Sequence, residues 1–167
     1  MKKHRAEGPS CDWRAPSFTQ RQENRSRVLR YRGNFRWSGV RRERYKDEEE
    51  GWSAIARHVL TGNRGETSKF HLRYFEISPR GYSSLERHRH EHVVVCIRGR
   101  GEITLGGRSH GIGYLDTVYV APDAVHQLRN PHDEPFGFLC IVNAKRDRPK
   151  PVTPRRQQRR HDTSRGA

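Results

Sequence analysis

Apolar residues alternate with polar residues in short runs along the second half of the chain. From about residue 69 onward, each run is bounded by Gly, Pro, Asn or Asp, and an alternation of period two is typical of strands with one buried face. The runs are KFHLRYFEIS, HVVVCIRG, GEITLGG, TVYVA, VHQLRN and FGFLCIVN. Short strands at such even spacing predict an all-β sandwich or barrel.

The segments between and before these runs predict turns and further edge elements. Arg98 to Gly113 contains six glycines, which predicts tight hairpins because glycine readily takes positive φ. Upstream, WSAIARHVL predicts an additional edge strand, with one or two helical turns as the alternative. The segment RRERYKDEEEG carries charges of both signs and ends in Gly, so we expect a short exposed helix or a loop there.

The two ends of the chain are far more basic than its middle. Of a net charge of +15, residues 1–30 carry +5 and residues 144–167 carry +7, which leaves +3 for residues 31–143. Both ends lack apolar periodicity and are broken by Pro and Gly, so burial cannot offset the entropy lost on ordering. The sequence therefore predicts one β-barrel domain with an N-terminal extension at 31–143, between disordered basic tails at 1–30 and 144–167.

Hydropathy and cysteine usage restrict the class of protein. No apolar run reaches the roughly 18 residues of a membrane span, and the basic N-terminus lacks the apolar stretch of a secretory signal. The cysteines Cys11, Cys96 and Cys140 are odd in number and form no CxxC pair, which suits reduced thiols. We expect a soluble, cytoplasmic protein without disulfides and without a membrane partner.

The basic C-terminal tail raises the question of nucleic-acid binding. Its clustered arginines are Arg155, Arg156, Arg159 and Arg160. Clustered cations gain affinity for nucleic acid by releasing counterions, but no aromatic residue lies between these charges to stack on bases. A solvated tail is therefore the preferred interpretation, and nucleic acid is a secondary candidate partner.

Three histidines, His88, His90 and His92, occupy alternate positions directly before the apolar run VVVCI. On an extended strand their rings share one face, and imidazoles that face a buried cavity need a partner. A divalent transition metal (Fe, Mn, Ni, Co, Cu or Zn) binds neutral imidazole nitrogens and is the natural partner. His126, at the head of another short strand, is the best candidate for a fourth ligand. A cluster of solvated surface histidines is the alternative.

These two histidine segments resemble the two sequence motifs of the cupin superfamily. The first segment is GYSSLERHRHEHVVVCIRGRG and the second is LDTVYVAPDAVHQLRN. The resemblance covers roughly residues 69–143 and is to small single-domain cupins of the cupin 2 type. It implies a double-stranded β-helix, a small jelly-roll barrel whose ligands project inward to one divalent metal.

The resemblance carries over to the metal ligands position by position. His88 and His90 match the paired histidines of the first motif, and His92 occupies the slot that is Glu in many members. Gly99 stands seven positions after His92, the same step as in the family. His126 matches the last ligand. The resemblance therefore implies a metal bound by four histidines without a carboxylate.

The chain also departs from the family motifs at several positions. Leu115, Ala121 and Asp123 stand where the second motif often has Gly, Pro and Gly, whereas Asn130 matches the Asn that closes it. In the first motif, one residue separates His90 from the next ligand, where the family usually has three or four. The turn geometry around the ligands is therefore expected to differ from that of most members.

The resemblance implies a metal-dependent enzyme, most simply a small oxygenase of the dioxygenase type acting on an unknown small organic substrate. Open metal positions in an apolar barrel would bind substrate and O2. Alternatives are a non-catalytic sensor cupin that holds a metal or small ligand, and a metal-dependent isomerase or lyase. The nearby carboxylates Glu86, Glu91 and Glu102 show no pattern that identifies a general base.

The sequence also allows predictions for two cysteines and for the oligomeric state. Cys96 shares the parity of His92 and is expected to face the barrel interior as an inert thiol. Cys140, in the last predicted strand, is a further candidate for a residue of the pocket. A homodimer is implied by the resemblance and by the need to cover strand edges.

Overall fold

The computed structural model describes residues 24–46 and 51–152, which fold into β-strands joined by turns. The strands of these residues are β1 (Glu43–Arg44), β2 (Ser53–Thr61), β3 (Phe70–Tyr82), β4 (Glu86–Arg87), β5 (His92–Arg98), β6 (Gly101–Leu105), β7 (Arg108–Ile112), β8 (Thr117–Val120), β9 (His126–Arg129), β10 (Phe136–Asn143) and β11 (Lys150–Pro151). Each of the six predicted runs contains a strand, and WSAIARHVL forms β2 rather than helical turns. The described residues contain no helix of the length and hydropathy needed to cross a membrane.

The strands pair antiparallel into one curled sheet. Its order is β11-β4-β9-β3-β10-β5-β8, while β2 pairs with β3 and β1, and β6 pairs with β9 and β7. Because β3 pairs with β2, β9 and β10, strands distant in sequence lie side by side and close around one interior. This topology confirms the predicted all-β jelly-roll barrel.

Alternation along β5 and β10 builds the core of the barrel. Val94 and Cys96 of β5 are fully buried, and so is Phe136 of β10, with Phe138 almost so. Burial of each large apolar side chain stabilises the fold by roughly 1.5–3 kcal/mol. The parity that buries Cys96 also directs His92, the first residue of β5, to the barrel interior, as the sequence predicts.

The turns that carry the motifs take the left-handed backbone conformation despite the departures from glycine. Leu115 and Asp123 have φ values of 69° and 60°. Asp tolerates this region, and the backbone N–H of Asp123 donates to the carbonyl of His88 at 2.7 Å. Gly99 also has a positive φ, and a Cβ there would collide with the carbonyl oxygen of Pro135. The glycine-like geometry of both motifs is therefore kept.

Residues 144–152, which the sequence assigns to the basic C-terminal tail, contact the barrel. Lys150 and Pro151 pair with β4, and the N–H of Val152 donates to the carbonyl of Leu85 at 2.8 Å. Polar contacts rather than buried apolar side chains attach this segment to the barrel. Its contact with the barrel therefore could not be predicted from composition. The predicted disorder of 153–167, which includes the clustered arginines, concerns residues outside the described part and stays a prediction.

A smaller difference occurs at the N-terminal boundary. The side chain of Asn24 donates to Thr67 Oγ1 at 2.8 Å, and a guanidinium N–H of Arg27 donates to the carbonyl of Arg64. Residues 24–30, predicted as part of the first tail, thus also contact the domain. Residues 1–23, with Cys11, lie outside the described part.

Substitution of Asn130 by alanine is expected to lower the free energy of unfolding by about 2–4 kcal/mol. Its buried amide donates to the carbonyls of Ile77 (2.9 Å) and Glu134 (2.8 Å) and accepts from the N–H of His132 (3.1 Å). Alanine would leave these backbone groups without partners. Urea denaturation measures the loss, and Asn143→Ala, which removes one exposed hydrogen bond, serves as the control. Equal losses in the two variants would contradict the account.

Candidate metal centre

Three imidazoles from separate segments meet inside the barrel. His92 begins β5, His126 begins β9 and His88 follows β4 directly. One ring nitrogen from each lies within 4.8 Å of those of the other two, and all three residues are buried. Their ring centroids are 4.8–5.1 Å apart. The structure therefore brings together three of the four predicted ligands.

Hydrogen bonds fix which ring nitrogen carries the proton in two of the three imidazoles, His88 and His126. The Nδ1 atom of His88 lies 2.6 Å from the carbonyl oxygen of His90, and that of His126 lies 2.8 Å from the carbonyl oxygen of Ala124. Because a carbonyl only accepts, both Nδ1 atoms carry the proton and both Nε2 atoms are unprotonated in the neutral ring. The Nε2 atom of His92 is buried and has no hydrogen-bond partner. These donors fit a divalent transition metal.

Burial keeps the rings of His92 and His126 uncharged at neutral pH because it lowers the pKa of both. It lowers the pKa of His92 to about 2, and the neighbouring His126 and His88 lower it further. Burial also lowers the pKa of His126 to about 4. Neutral imidazole is the form that binds a metal, so protons do not compete for these two ligands near pH 7.

His90, the fourth predicted ligand, lies beside the cluster but outside the group of three. Its ring stacks on that of His88 with centroids 3.7 Å apart, and its Nδ1 donates to Asp147 Oδ1 at 2.8 Å. The backbone N–H of Arg89 and the His90 ring hold the pKa of Asp147 well below its usual range. A carboxylate that orients a histidine in this way is common around metal ligands. Ligation by His90 stays a prediction.

The histidines open onto a cavity of about 130 Å³ with an apolar wall. The wall consists of Trp52, Ile55, Phe75, Leu128 and Phe138. Glu86 and Ser83 also line the cavity, and burial raises the pKa of Glu86, whose carboxylate accepts from the hydroxyl of Ser84 at 2.6 Å. The lining of the cavity thus combines apolar residues with the polar groups of Glu86 and Ser83 and with the histidines.

Cys140 lines the same cavity, in contrast to Cys96, whose thiol points at the carbonyls of Arg98 and Gly99. The Sγ atom of Cys140 lies 3.5 Å from Nδ1 of His92. On its other side, a guanidinium N–H of Arg73 donates to Sγ at 3.2 Å. Both thiols are free. A reactive group of the chain therefore lies directly beside the three imidazoles.

Three arginines that the sequence analysis did not single out also line the cavity, namely Arg57, Arg73 and Arg146. For two of them, the position in the strand could have indicated a place in the barrel interior. Arg57 shares the parity of Ile55 on β2, and Arg73 shares that of Phe75 on β3, so each puts a charge at a core-facing position. For Arg146 and Asp147 there was no such signal, because both lie in a charged segment without apolar residues.

A jelly-roll barrel with inward-facing histidines from two motif segments has the architecture of a cupin with a candidate metal centre. The family model described as "Cupin domain" matches residues 73–142, from within β3 to the second-last residue of β10. The chain belongs to the cupin superfamily, as a small cupin of the cupin 2 type.

Known relatives agree with this assignment. The chain is 40% identical over 121 residues to a 1-methylthio-D-xylulose 5-phosphate methylsulfurylase of Rhodospirillum rubrum, covering 72% of this chain and 76% of that protein. A solved cupin-2 domain from R. rubrum matches with 40% identity and a TM-score of 0.66 over 74% of this chain and 82% of that one. A cupin 2 conserved barrel protein from Rhodopseudomonas palustris matches with 35% identity and a TM-score of 0.70 over 76% and 87%.

Proposed function

We propose that the protein is a metal-dependent enzyme that breaks the carbon–sulfur bond of a 1-methylthio ketose phosphate with the help of a thiol. The observation that carries the proposal is Cys140, whose Sγ atom lies in the cavity 3.5 Å from Nδ1 of the candidate ligand His92. A nucleophilic sulfur beside a Lewis-acid site suits a substrate that has a thioether next to a ketone. The name of the relative with 40% identity describes such a substrate.

Different residues of the cavity would have different roles in this reaction. His88, His92 and His126 would hold the metal, which when bound polarises the ketone oxygen of the substrate as a Lewis acid. A guanidinium N–H of Arg73 donates to Sγ of Cys140. With the metal on Nε2 of His92, the ring proton would lie on Nδ1 and would donate to a Cys140 thiolate. The apolar wall shields the reacting sulfur atoms from water.

The bond changes balance with one external thiol. The Cys140 thiolate attacks the methylthio sulfur, and an S–S bond forms as the C1–S bond breaks. The bonding electron pair goes to C1, next to the C2 carbonyl, and C1 takes up one proton to become a methyl group. A small thiol from solution then attacks the methylthio sulfur and releases Cys140. Overall C1 is reduced, and the thiol is oxidised to a mixed methyl disulfide.

An assay of product formation with and without thiol tests the proposal. Metal-loaded protein is mixed with 1-methylthio-D-xylulose 5-phosphate and glutathione, and the C1 methyl group of the 1-deoxy product is followed by NMR. We expect multiple turnovers with glutathione and no more than about one product molecule per protein molecule without it, because Cys140 is consumed. Absence of product from folded, metal-loaded protein would overturn the proposal.

The oxygenase expected from the sequence is the second candidate. The observation that favours it is the donor set, which is built from imidazoles alone and faces the apolar wall formed by residues such as Phe75 and Phe138. An oxygen electrode separates the two candidates in the same assay. Consumption of O2 that depends on metal and substrate favours the oxygenase, whereas turnover that continues under anaerobic conditions favours thiol-dependent cleavage.

A further inference from the structure

The lining of the cavity contains three arginines. The guanidinium groups of Arg57, Arg73 and Arg146 come from β2, β3 and the segment after β10. They are close enough to interact, since burial and then the charges of Arg73 and Arg57 lower the pKa of Arg146. Like charges gathered at a cavity repel one another unless an anion lies between them.

Among the residues that the structure describes, only one carboxylate pairs with these three guanidinium groups. Arg57 pairs with Glu43 at 2.7 Å. In residues 24–46 and 51–152, no carboxylate lies within ion-pair distance of Arg73 or Arg146. Within the described residues, Arg73 and Arg146 therefore have no carboxylate as an ion-pair partner, and Glu43 offsets only the charge of Arg57.

Two of the arginines also have buried hydrogen-bond donors without an acceptor. The Nε atoms of Arg57 and Arg73 are buried and have no hydrogen-bond partner. Their guanidinium groups lie over aromatic rings, that of Arg57 over Tyr45 at 4.8 Å and that of Arg73 over Phe75 at 5.1 Å. Stacking fixes the guanidinium planes and leaves their N–H edges available, while a buried donor without a partner is costly. A ligand with several acceptor oxygens would relieve that cost.

We propose that Arg57 and Arg146 form the binding site for the phosphate group of a phosphate-monoester substrate, with Arg73 between this site and Cys140. The proposal rests on the proposed function, because it assigns residues to the phosphate end of that substrate. Arg146 is exposed at the mouth of the cavity, whereas Arg73 contacts the thiol, so the site leads from solvent to the reacting atoms. Arg–phosphate pairs are strong because several N–H groups point at one dianion.

Binding of D-ribulose 5-phosphate to the full chain, measured by isothermal titration calorimetry, tests the proposal. We expect Arg57→Gln and Arg146→Gln each to raise the dissociation constant about 10- to 100-fold, as loss of a charge-assisted hydrogen bond predicts. Arg146→Lys is expected to restore part of the affinity. Arg129→Gln, which removes an exposed charge of β9 outside the cavity, is the matched control and should bind as the unaltered protein does.

A second variant separates phosphate binding from a structural role of the ion pair. Glu43→Gln removes the carboxylate that competes for Arg57, so the affinity for D-ribulose 5-phosphate should stay the same or increase. If Arg57 acted only through its bond to Glu43, both variants would weaken binding alike. Inorganic phosphate should compete with D-ribulose 5-phosphate, and D-ribulose without phosphate should bind at least tenfold more weakly than the phosphorylated sugar.

The outcomes distinguish this proposal from the proposed function. Unchanged dissociation constants in Arg57→Gln and Arg146→Gln, or equal binding of D-ribulose with and without phosphate, would overturn the phosphate site even if the thioether substrate were turned over. Conversely, phosphate-dependent binding that both variants weaken, in a protein that yields no product, would retain the phosphate site and overturn the reaction.

Discussion

Replacement of His92 by leucine is expected to abolish metal binding without destabilising the metal-free protein. The Nε2 atom of His92 is buried without a hydrogen-bond partner, so an apolar side chain of similar size removes an unsatisfied polar group. Cys140, the partner of Nδ1, keeps the hydrogen bond from Arg73. Such a replacement is close to neutral or stabilising. The same change removes one of three converging ligands, and the loss of metal affinity should exceed the roughly 100-fold that outer-shell changes cause.

Thermal unfolding with and without added Zn²⁺ measures both effects at once. At a metal concentration about 100 times the dissociation constant, binding stabilises the unaltered protein by about 2.7 kcal/mol. This increment should vanish in His92→Leu, while the melting temperature without metal stays equal or rises. His110→Leu, at an exposed position of β7, should keep the increment. A metal-dependent increment that persists in His92→Leu would contradict the assignment.

Replacement of Cys140 by serine is expected to lower kcat/KM for the methylthio substrate by more than about 1,000-fold, in line with losses seen when a nucleophile is removed. Serine keeps a hydroxyl beside Arg73 and His92 but cannot form the disulfide that the proposed reaction needs. The cavity and the metal ligands are unchanged, so metal content should stay the same. Steady-state kinetics and metal analysis of the same preparation check both statements.

Cys96 provides the matched control for this experiment. Its thiol is also buried on a barrel strand, but it points at the carbonyls of Arg98 and Gly99 and lies outside the cavity lining. Cys96→Ser should therefore retain kcat/KM within a few-fold, because a hydroxyl can donate to the same carbonyls. Equal activities of the two serine variants would exclude Cys140 from the reaction.

Much of the fold could be predicted because each half-buried strand shows an alternation of apolar and polar residues in its own sequence. The alternation in HVVVCIRG and FGFLCIVN gave strands β5 and β10 with the correct residues facing inward, including Cys96 and Cys140. The strands β1, β4 and β11 were missed because two-residue strands have no period to detect, and β7 was missed because four of its five residues are exposed. The existence of the two-residue strands depends on pairing with distant partners, which local sequence does not encode.

The candidate site was predicted in part for the same reason. His88, His92 and His126 stand at positions where strand parity and the family motifs agree, and the structure brings them together. The positions of Arg146 and Asp147 beside the site depend on contacts that residues 144–152 make with the barrel, and the composition of this segment is that of a disordered tail. The predicted homodimer and cytoplasmic location involve partners and surroundings outside a single chain, and they stay predictions.

The central claim is that three imidazoles inside the barrel bind one metal ion. Crystals of the protein grown with Zn²⁺ and measured at the zinc absorption edge test it most directly. The account predicts one anomalous peak per chain, about 2.0–2.1 Å from Nε2 of His88, His92 and His126. A peak located only at surface histidines, with the three Nε2 atoms free of metal, would contradict it.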